Sequence, residues 1–257
     1  MKRSDFWITA KQNWRALVYL LVLTVLAVVL VVICVRRGQD AAQPSPTPRT
    51  SAKVRKDAAQ ALLDGMSTRE KICQLLIVHP EALTGGGTVT GMTDELAAAL
   101  RAYPVGGLLL SAGNMTSGEQ LAALTAALSN GGKTAPLISV DEEGGRVARL
   151  MNTVGTTKLG SMYSYRAQGT QGAHDNAQTI ARDIAAYGFS TDFAPVADVW
   201  TNKRSSAIGD RAYSDDYDEA AELVAAAVSG FRDAGVICCL KHFPGHGSTA
   251  TDSHNGA

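Results

Sequence analysis

The sequence predicts an α/β protein of the (β/α)8 TIM-barrel type, of which about five βα units are present, preceded by one transmembrane helix. The first observation is that short apolar runs alternate with helix signals along most of the chain. The second is that three helix patterns end at glycine directly before a new apolar run, which is typical of βα repetition. The third is that reactive side chains stand at the carboxyl ends of three of the five predicted strands, where a barrel builds its site.

Five apolar runs are the predicted strands. They are short and apolar throughout, which is typical of a parallel sheet covered on both faces. They are ICQLLIV (72–78), VGGLLLSA (105–112), PLISVDEE (136–143), FSTDFAPVADV (189–199) and VICCLKHF (236–243).

Helices are predicted between these runs from their start and stop signals. The first covers Lys56 to Asp64, and Ser67 with Glu70 then has capping-box spacing. Thr93 caps a helix that Pro104 ends, and Ser117 opens one that closes at Gly131. Two longer helices end at glycine, one at Gly188 and one from about Asp218 to Gly235.

The choice between a barrel and a doubly wound sheet depends on polar residues. Asp141 follows LISV, Asp198 follows FAPVA, and Lys241 with His242 follows VICCL. A dinucleotide-binding sheet would carry a glycine-rich fingerprint after its first strand, and the GGG at 85–87 lacks that spacing. The barrel is therefore favoured.

Residues 16–35 form a run without any charged residue that is long enough to cross a bilayer. A secretory h-region is shorter, and the position before Cys34 is Ile33, where a lipoprotein would carry a small residue. The sequence predicts a cytoplasmic segment (1–15), a transmembrane signal anchor (16–35), a Pro/Ser/Thr-rich linker (36–53) and a partial barrel domain (54–257). Flanking basic residues favour, by a small margin, a single-pass cell-membrane protein with its catalytic domain on the extracytoplasmic side.

The composition argues against nucleic acid as a partner. Lys+Arg (24) and Asp+Glu (24) balance, and aromatic residues make up 6% of the chain. Neither a basic face nor a base-stacking surface is indicated.

The stretch KHFPGHGSTATDSHNGA (241–257) concentrates reactive side chains. Asp252 and His254 are two residues apart, so in an extended loop a carboxylate could hold the imidazole and raise its basicity. A metal site at His242, His246 and His254 is the alternative, although Pro244 opposes the helix that an HxxxH pair needs.

These residues resemble the β-N-acetylglucosaminidases of glycoside hydrolase family 3. KHFPGHG followed by DSH is similar to the signature of that family, and VDEEGGRVARL (140–150) is similar to its D-x-E-G-G-R-V segment. FAPVADV followed by AIGDRAYSDD resembles a further family stretch, and MSTREKICQLLIV resembles its opening helix and strand. Glu142 stands where the family often has glutamine, and Ala212-Tyr213 replaces the usual Ser-Phe.

The resemblance implies a retaining enzyme that hydrolyses terminal, non-reducing β-linked N-acetylglucosamine from cell-wall glycans or muropeptides without a cofactor or metal. It implies His254 as the general acid/base, held by Asp252. The implied sugar-binding residues are Asp141, Arg149, Arg211, Lys241 and His242.

The nucleophilic aspartate of the family lies downstream of the DSH loop, beyond residue 257. We therefore expect that the sequence is truncated and that the 257-residue chain by itself is inactive. Phosphorolysis of the same bond, non-catalytic glycan binding at the membrane and metal-dependent hydrolysis are the alternatives.

Overall fold

The computed structural model describes residues 48–132 and 134–252, with side chains from residue 56 onward. The chain divides into two compact units, Met1–Gly65 and Met66–Ala257. In the first unit the described element is helix α1 (Pro48–Asp64). It begins before the predicted Lys56, so the end of the predicted linker is helical. Proline is well suited to the first helical position, because its fixed φ matches the helix and its missing N–H is not needed there.

No helix within the described ranges is long and apolar enough to cross a bilayer. The predicted span at 16–35 lies outside the described residues.

The second unit contains a parallel five-stranded sheet. Its strands are β1 (Ile77–Val78), β2 (Gly107–Leu109), β3 (Leu137–Val140), β6 (Thr191–Asp192) and β7 (Ile237–Cys238). They pair in the order β1-β2-β3-β6-β7, so the strands of this sheet lie side by side in the same order as they occur along the chain. A short antiparallel hairpin of β4 (Glu142–Gly144) and β5 (Val147–Ala148) follows β3. The predicted alternation of parallel strands and helices is confirmed.

The described helices of this unit are α2 (Thr68–Cys73), α3 (Glu81–Thr84), α4 (Asp94–Ala102), α5 (Gly118–Ser129), α6 (Arg149–Thr153), α7 (Gly169–Ala186) and α8 (Tyr217–Asp233). The four longest, α4, α5, α7 and α8, agree with predicted helices. Local hydrogen bonds start three of the seven helices as predicted. Ser67 and Glu70 form a capping box, Thr93 accepts from Leu96 N, and Ser117 accepts from Gln120 N.

The prediction for the first strand is wrong at its start. Ile72 and Cys73 belong to helix α2, and the strand contains only Ile77 and Val78. The capping box nucleates a helix that continues into the apolar run. There Cys73 is buried and Ile72 is exposed, as expected for an amphipathic helix rather than a buried strand.

The core lies between the sheet and its helices. Leu108, Ile138 and Val140 of the central strands are at most 1% exposed, and Ile184 of α7 packs into the same cluster. Helices α7 and α8 approach closely at Gly230, where a Cβ would lie 2.3 Å from a backbone oxygen of α7. This packing fixes the strands, and the strands fix the loops at their carboxyl ends.

Candidate active site

A cavity of about 430 Å³ opens at the carboxyl ends of the strands. The five predicted sugar-binding residues all line it: Asp141, Arg149, Arg211, Lys241 and His242. Its remaining lining residues are Leu109, Glu143, Val147 and Phe193. Residues as far apart in the sequence as Leu109 and His242 therefore meet in one concave site, as expected when several strand ends contribute to it.

Glu143 forms ion pairs with two of the cations that line this cavity. It belongs to β4, its side chain is 1% exposed, and both of its oxygens accept hydrogen bonds. Arg211 donates to it through Nε and Nη2, each at 2.8 Å, and Lys241 Nζ lies 2.6 Å from Oε1. A buried carboxylate that faces two cations fixes the direction of both through charge-assisted hydrogen bonds.

Asp141 and Lys241 form a second ion pair at the mouth of the cavity. Lys241 Nζ donates to Asp141 Oδ1 at 2.6 Å. The Asp141 side chain is 30% exposed, while that of Lys241 is 14% exposed. Asp141 therefore keeps acceptor capacity for a ligand, and its second oxygen suits a sugar hydroxyl.

Arg211 ends a short 3₁₀ helix, Gly209–Arg211, in the loop after β6. Besides its bidentate pair with Glu143, it donates through Nη1 to the Ala207 carbonyl at 2.7 Å. Burial lowers the pKa of Arg211, but the hydrogen bond to Glu143 and the negative charges of Glu143, Asp198 and Asp141 outweigh this and raise the pKa. The guanidinium is therefore a fixed donor and a permanent positive charge in the cavity wall.

Glu142 does not line the cavity. Its oxygens accept from Leu150 N at 2.8 Å and from Met151 N at 3.1 Å, at the start of helix α6. That helix begins with Arg149, so Glu142 helps to place the arginine. Burial raises the pKa of Glu142. Because the Glu142 side chain bonds backbone groups outside the cavity lining, this departure from the family pattern leaves the lining side chains unchanged.

His242 is held by Asp198. Its Nδ1 lies 2.6 Å from Asp198 Oδ2, and its backbone N donates to the same oxygen at 3.0 Å. On its other side, Nε2 lies 3.4 Å from Arg211 Nη2. The imidazole is thus fixed between a carboxylate and a guanidinium at the edge of the cavity.

A second buried carboxylate, Asp192, supports the strand end beneath the cavity. Its Oδ1 accepts from Glu142 N at 3.0 Å, between the two cavity residues Asp141 and Glu143. Burial raises the pKa of Asp192 well above its usual value. The hydrogen bond from Glu142 N fixes the backbone of the β3–β4 segment.

The structure does not bring Asp252 to this cavity. Asp252 is partly buried and is not among the lining residues. His254 lies outside the described residues. The predicted Asp252–His254 dyad therefore stays a prediction.

The metal alternative also depends partly on His254. The rings of His242 and His246 contact edge to face, with centroids 5.9 Å apart. Across the described ranges, no cluster of three histidine, cysteine or acidic side chains has the arrangement of a metal site.

Sequence reasoning missed Glu143 and gave Asp198 no role beyond its place at a strand end. One signal could have found Glu143. Asp141 and Glu143 are two residues apart at the end of a strand, so an extended backbone points both side chains the same way. No local signal assigns Asp198 to His242, because the pair is 44 residues apart in sequence.

Comparison with known proteins identifies the family of the chain. The profile described as "Glycosyl hydrolase family 3 N terminal domain" matches residues 67–257. Beta-hexosaminidase LpqI of Mycobacterium tuberculosis is 37% identical over 214 residues, which cover 82% of this chain and 50% of that protein. A beta-hexosaminidase of Xanthomonas oryzae is 40% identical over 157 residues, covering 58% of this chain and 46% of that protein. The chain thus spans about half the length of these curated relatives.

Solved structures give the same result. A glycoside hydrolase family 3 beta-N-acetylglucosaminidase from Paenibacillus matches with a TM-score of 0.65 and 32% identity, over 74% of this chain and 35% of that chain. NagZ from Neisseria gonorrhoeae matches with a TM-score of 0.62 and 29% identity, over 70% of this chain and 52% of that chain. The chain belongs to glycosyl hydrolase family 3, with residues 67–257 in its N-terminal domain.

Proposed function

We propose that the protein hydrolyses terminal, non-reducing β-linked N-acetylglucosamine residues. The observation that carries the proposal is the convergence of five family-motif side chains on one cavity of about 430 Å³. Permanent donors, Arg211 and Lys241, stand beside carboxylate acceptors there. Hydroxyl-rich ligands need both kinds of partner in fixed positions. The names of the relatives support the same sugar, since they are beta-hexosaminidases and a beta-N-acetylglucosaminidase.

The reaction is assigned a retaining course in which His254 protonates the leaving group and Asp252 orients the imidazole. Cell-wall glycans and muropeptides are the proposed substrates. The proposal places the five parallel strands in a (β/α)8 barrel, because a barrel gathers strand ends around one site in this way.

The test uses protein expressed from its complete gene and two substrates, p-nitrophenyl N-acetyl-β-glucosaminide and N,N′-diacetylchitobiose. We expect both to be hydrolysed with the β-anomer as first product. Lys241→Met, which removes a donor of the cavity, should raise KM or abolish activity. No cleavage of either substrate by the wild-type protein would contradict the proposal.

The proposed role of His254 can be tested separately, by comparing substrates with a poor and a good leaving group. A general acid matters most when the leaving group is poor. His254→Ala should therefore lose far more activity on the disaccharide than on the p-nitrophenyl glycoside, and added azide should restore turnover of the latter. Equal losses on both substrates would contradict the assignment.

Phosphate in the same assay distinguishes hydrolysis from phosphorolysis of the bond. Free N-acetylglucosamine at every phosphate concentration supports the proposal. Formation of the sugar 1-phosphate would instead show a phosphorylase.

The proposal includes a membrane anchor at residues 16–35, on the basis of their length and lack of charge. The protein should remain in the membrane fraction after a carbonate wash, and a variant that lacks residues 1–47 should not. Protease added to spheroplasts should digest the barrel domain if it lies on the extracytoplasmic side. Protection from that protease would contradict the orientation.

A further inference from the structure

The carboxylate of Asp198 gathers hydrogen bonds from one short segment that begins at His242. Its side chain is fully buried. One oxygen, Oδ2, takes the imidazole Nδ1 at 2.6 Å and the backbone N of His242 at 3.0 Å. The other, Oδ1, accepts from the backbone N of His246 and from Gly247 N at 3.2 Å. Asp198 thus ties the cavity histidine and the loop that follows it to the end of the neighbouring strand.

Two neighbours select the same tautomer of His242. Burial opposes ionisation of Asp198, but the hydrogen bonds from His242 and from the His246 backbone outweigh it and lower the pKa of Asp198 to about 2. The carboxylate is therefore an acceptor only, so the nitrogen that faces it must carry the proton. Arg211 Nη2 faces Nε2 at 3.4 Å, and a guanidinium can only donate. Nε2 is left without a proton.

We propose that Asp198 is a positioning residue that holds His242 as its Nδ1–H tautomer, so that Nε2 accepts a hydrogen bond from a sugar hydroxyl in the cavity. The part that concerns the sugar rests on the proposed function. The part that concerns the tautomer rests on the two contacts alone.

This tautomer adds a neutral hydrogen-bond acceptor to the cavity wall, which the cations of the wall cannot provide. Lys241, Arg149 and Arg211 line the cavity as donors only. A sugar hydroxyl donates one hydrogen bond as well as accepting others, and it needs an acceptor for its own proton. The lone pair on His242 Nε2 supplies that acceptor without a further negative charge, because its contact with Arg211 is long, at 3.4 Å, and a sugar hydroxyl can take the place of the guanidinium there.

The loop after His242 is positioned by the same group. Because Oδ1 holds the backbone at His246 and Gly247, the segment that leads to Asp252 starts from a fixed point. In Asp198→Asn the carbonyl oxygen can serve only one pair of donors, and the amide nitrogen then faces the other pair. When the carbonyl stays with the two loop amides, the amide N–H faces His242 Nδ1 and favours the Nε2–H tautomer.

The experiment uses protein labelled with ¹⁵N-histidine and long-range ¹H–¹⁵N correlation spectra, recorded without sugar at a pH where the ring is neutral. His242→Gln assigns the signal. The wild type should show Nδ1–H, and Asp198→Asn should shift the ring toward Nε2–H. Calorimetry with N-acetylglucosamine should then show an affinity about 3- to 10-fold lower, as expected for a lost hydrogen bond to a neutral acceptor.

The matched control is Asp183→Asn. Asp183 also accepts a backbone hydrogen bond, from Thr157 N at 2.9 Å, but it does not line the cavity. We expect its sugar affinity to stay within about twofold of the wild type, on the scale where tenfold corresponds to about 1.4 kcal/mol.

Two results would overturn the positioning role. A wild-type His242 in the Nε2–H form would do so whether or not any variant folds. So would an Asp198→Asn protein that binds sugar weakly while His242 keeps its native tautomer, because Asp198 would then be only structural. A wild type with Nδ1–H that does not bind N-acetylglucosamine would contradict the proposed function and still support the hold of Asp198 on the ring.

Discussion

Replacing Glu143 with glutamine tests whether one buried carboxylate organises the cations of the cavity. Glutamine has the same shape, so packing is preserved. It keeps one acceptor oxygen and presents an amide N–H where the second oxygen stood. In either orientation that N–H will face the guanidinium of Arg211, and on the Oε1 side it will also face the ammonium of Lys241. Both cations are donors only and can accept nothing from it.

The magnitude follows from the contacts. Breaking a buried ion pair by neutralising one partner costs about 3–5 kcal/mol. Here Arg211 keeps the Ala207 carbonyl and Lys241 keeps Asp141, so we expect the lower end of that range, about 3 kcal/mol. For a domain of this size each kcal/mol lowers the unfolding temperature by roughly 2–4 °C, which gives a decrease of roughly 6–12 °C.

The assay is thermal unfolding followed by circular dichroism, with calorimetric titration of N-acetylglucosamine. The neighbouring Glu142→Gln is the control, because Glu142 is also buried but accepts only backbone bonds at α6. It should lose one neutral donor's hydrogen bond, about 1 kcal/mol, and keep its sugar affinity. Glu143→Gln should bind the sugar at least about tenfold more weakly, since both cations lose their direction. Equal unfolding temperatures and equal sugar affinities in the two variants would refute the reasoning.

Three further predictions concern stability. The pKa of Asp198 is about 2 against an ordinary 3.8, so its ionised form stabilises the fold above about pH 4, and that contribution, about 2 kcal/mol, is lost as the pH falls toward 2. In urea unfolding, the stability of Asp198→Asn should therefore fall less steeply with decreasing pH than that of the wild type. An equally steep fall in stability would contradict this. Hydrogen bonds that His174 donates to Asp175 and Asp233 raise the pKa of His174, so its contribution to stability is present below about pH 6.5 and lost as the pH rises through the folded-state pKa. The stability of His174→Gln should differ less between about pH 6 and pH 9 than that of the wild type, and an equal difference would exclude the effect. A Cβ at Gly247 would lie 1.9 Å from a backbone oxygen, so Gly247→Ala should lower the free energy of unfolding by about 1–3 kcal/mol. Gly113→Ala should lower it less, because a Cβ there would meet nothing closer than 3.7 Å. A larger loss of stability in Gly113→Ala would contradict the packing argument.

Features that depend on neighbours in sequence could be predicted. The capping box at Ser67 and the caps at Thr93 and Ser117 all form as expected, because each needs only the next three residues. The start of β1 could not be located. An apolar run fits a helix or a strand equally well, and the preceding cap decided in favour of a helix at Ile72 and Cys73.

The residues of the candidate site likewise fall into those that the sequence identifies and those that it does not. Motif resemblance was sufficient to identify five of the cavity-lining residues, since each of the five stands in a recognisable segment. The partners that hold them are set by the tertiary fold. Glu143 meets Arg211 across 68 positions, and Asp198 meets His242 across 44. Spacing in the sequence carries no information about contacts of this kind.

A crystal structure of the protein with N-acetylglucosamine tests the central claim most directly. The account predicts the sugar in the cavity of about 430 Å³, with hydroxyls in contact with Asp141, Lys241 and Arg211 and one hydroxyl donating to His242 Nε2. A sugar bound elsewhere on the chain, or an empty cavity at saturating sugar, would contradict it.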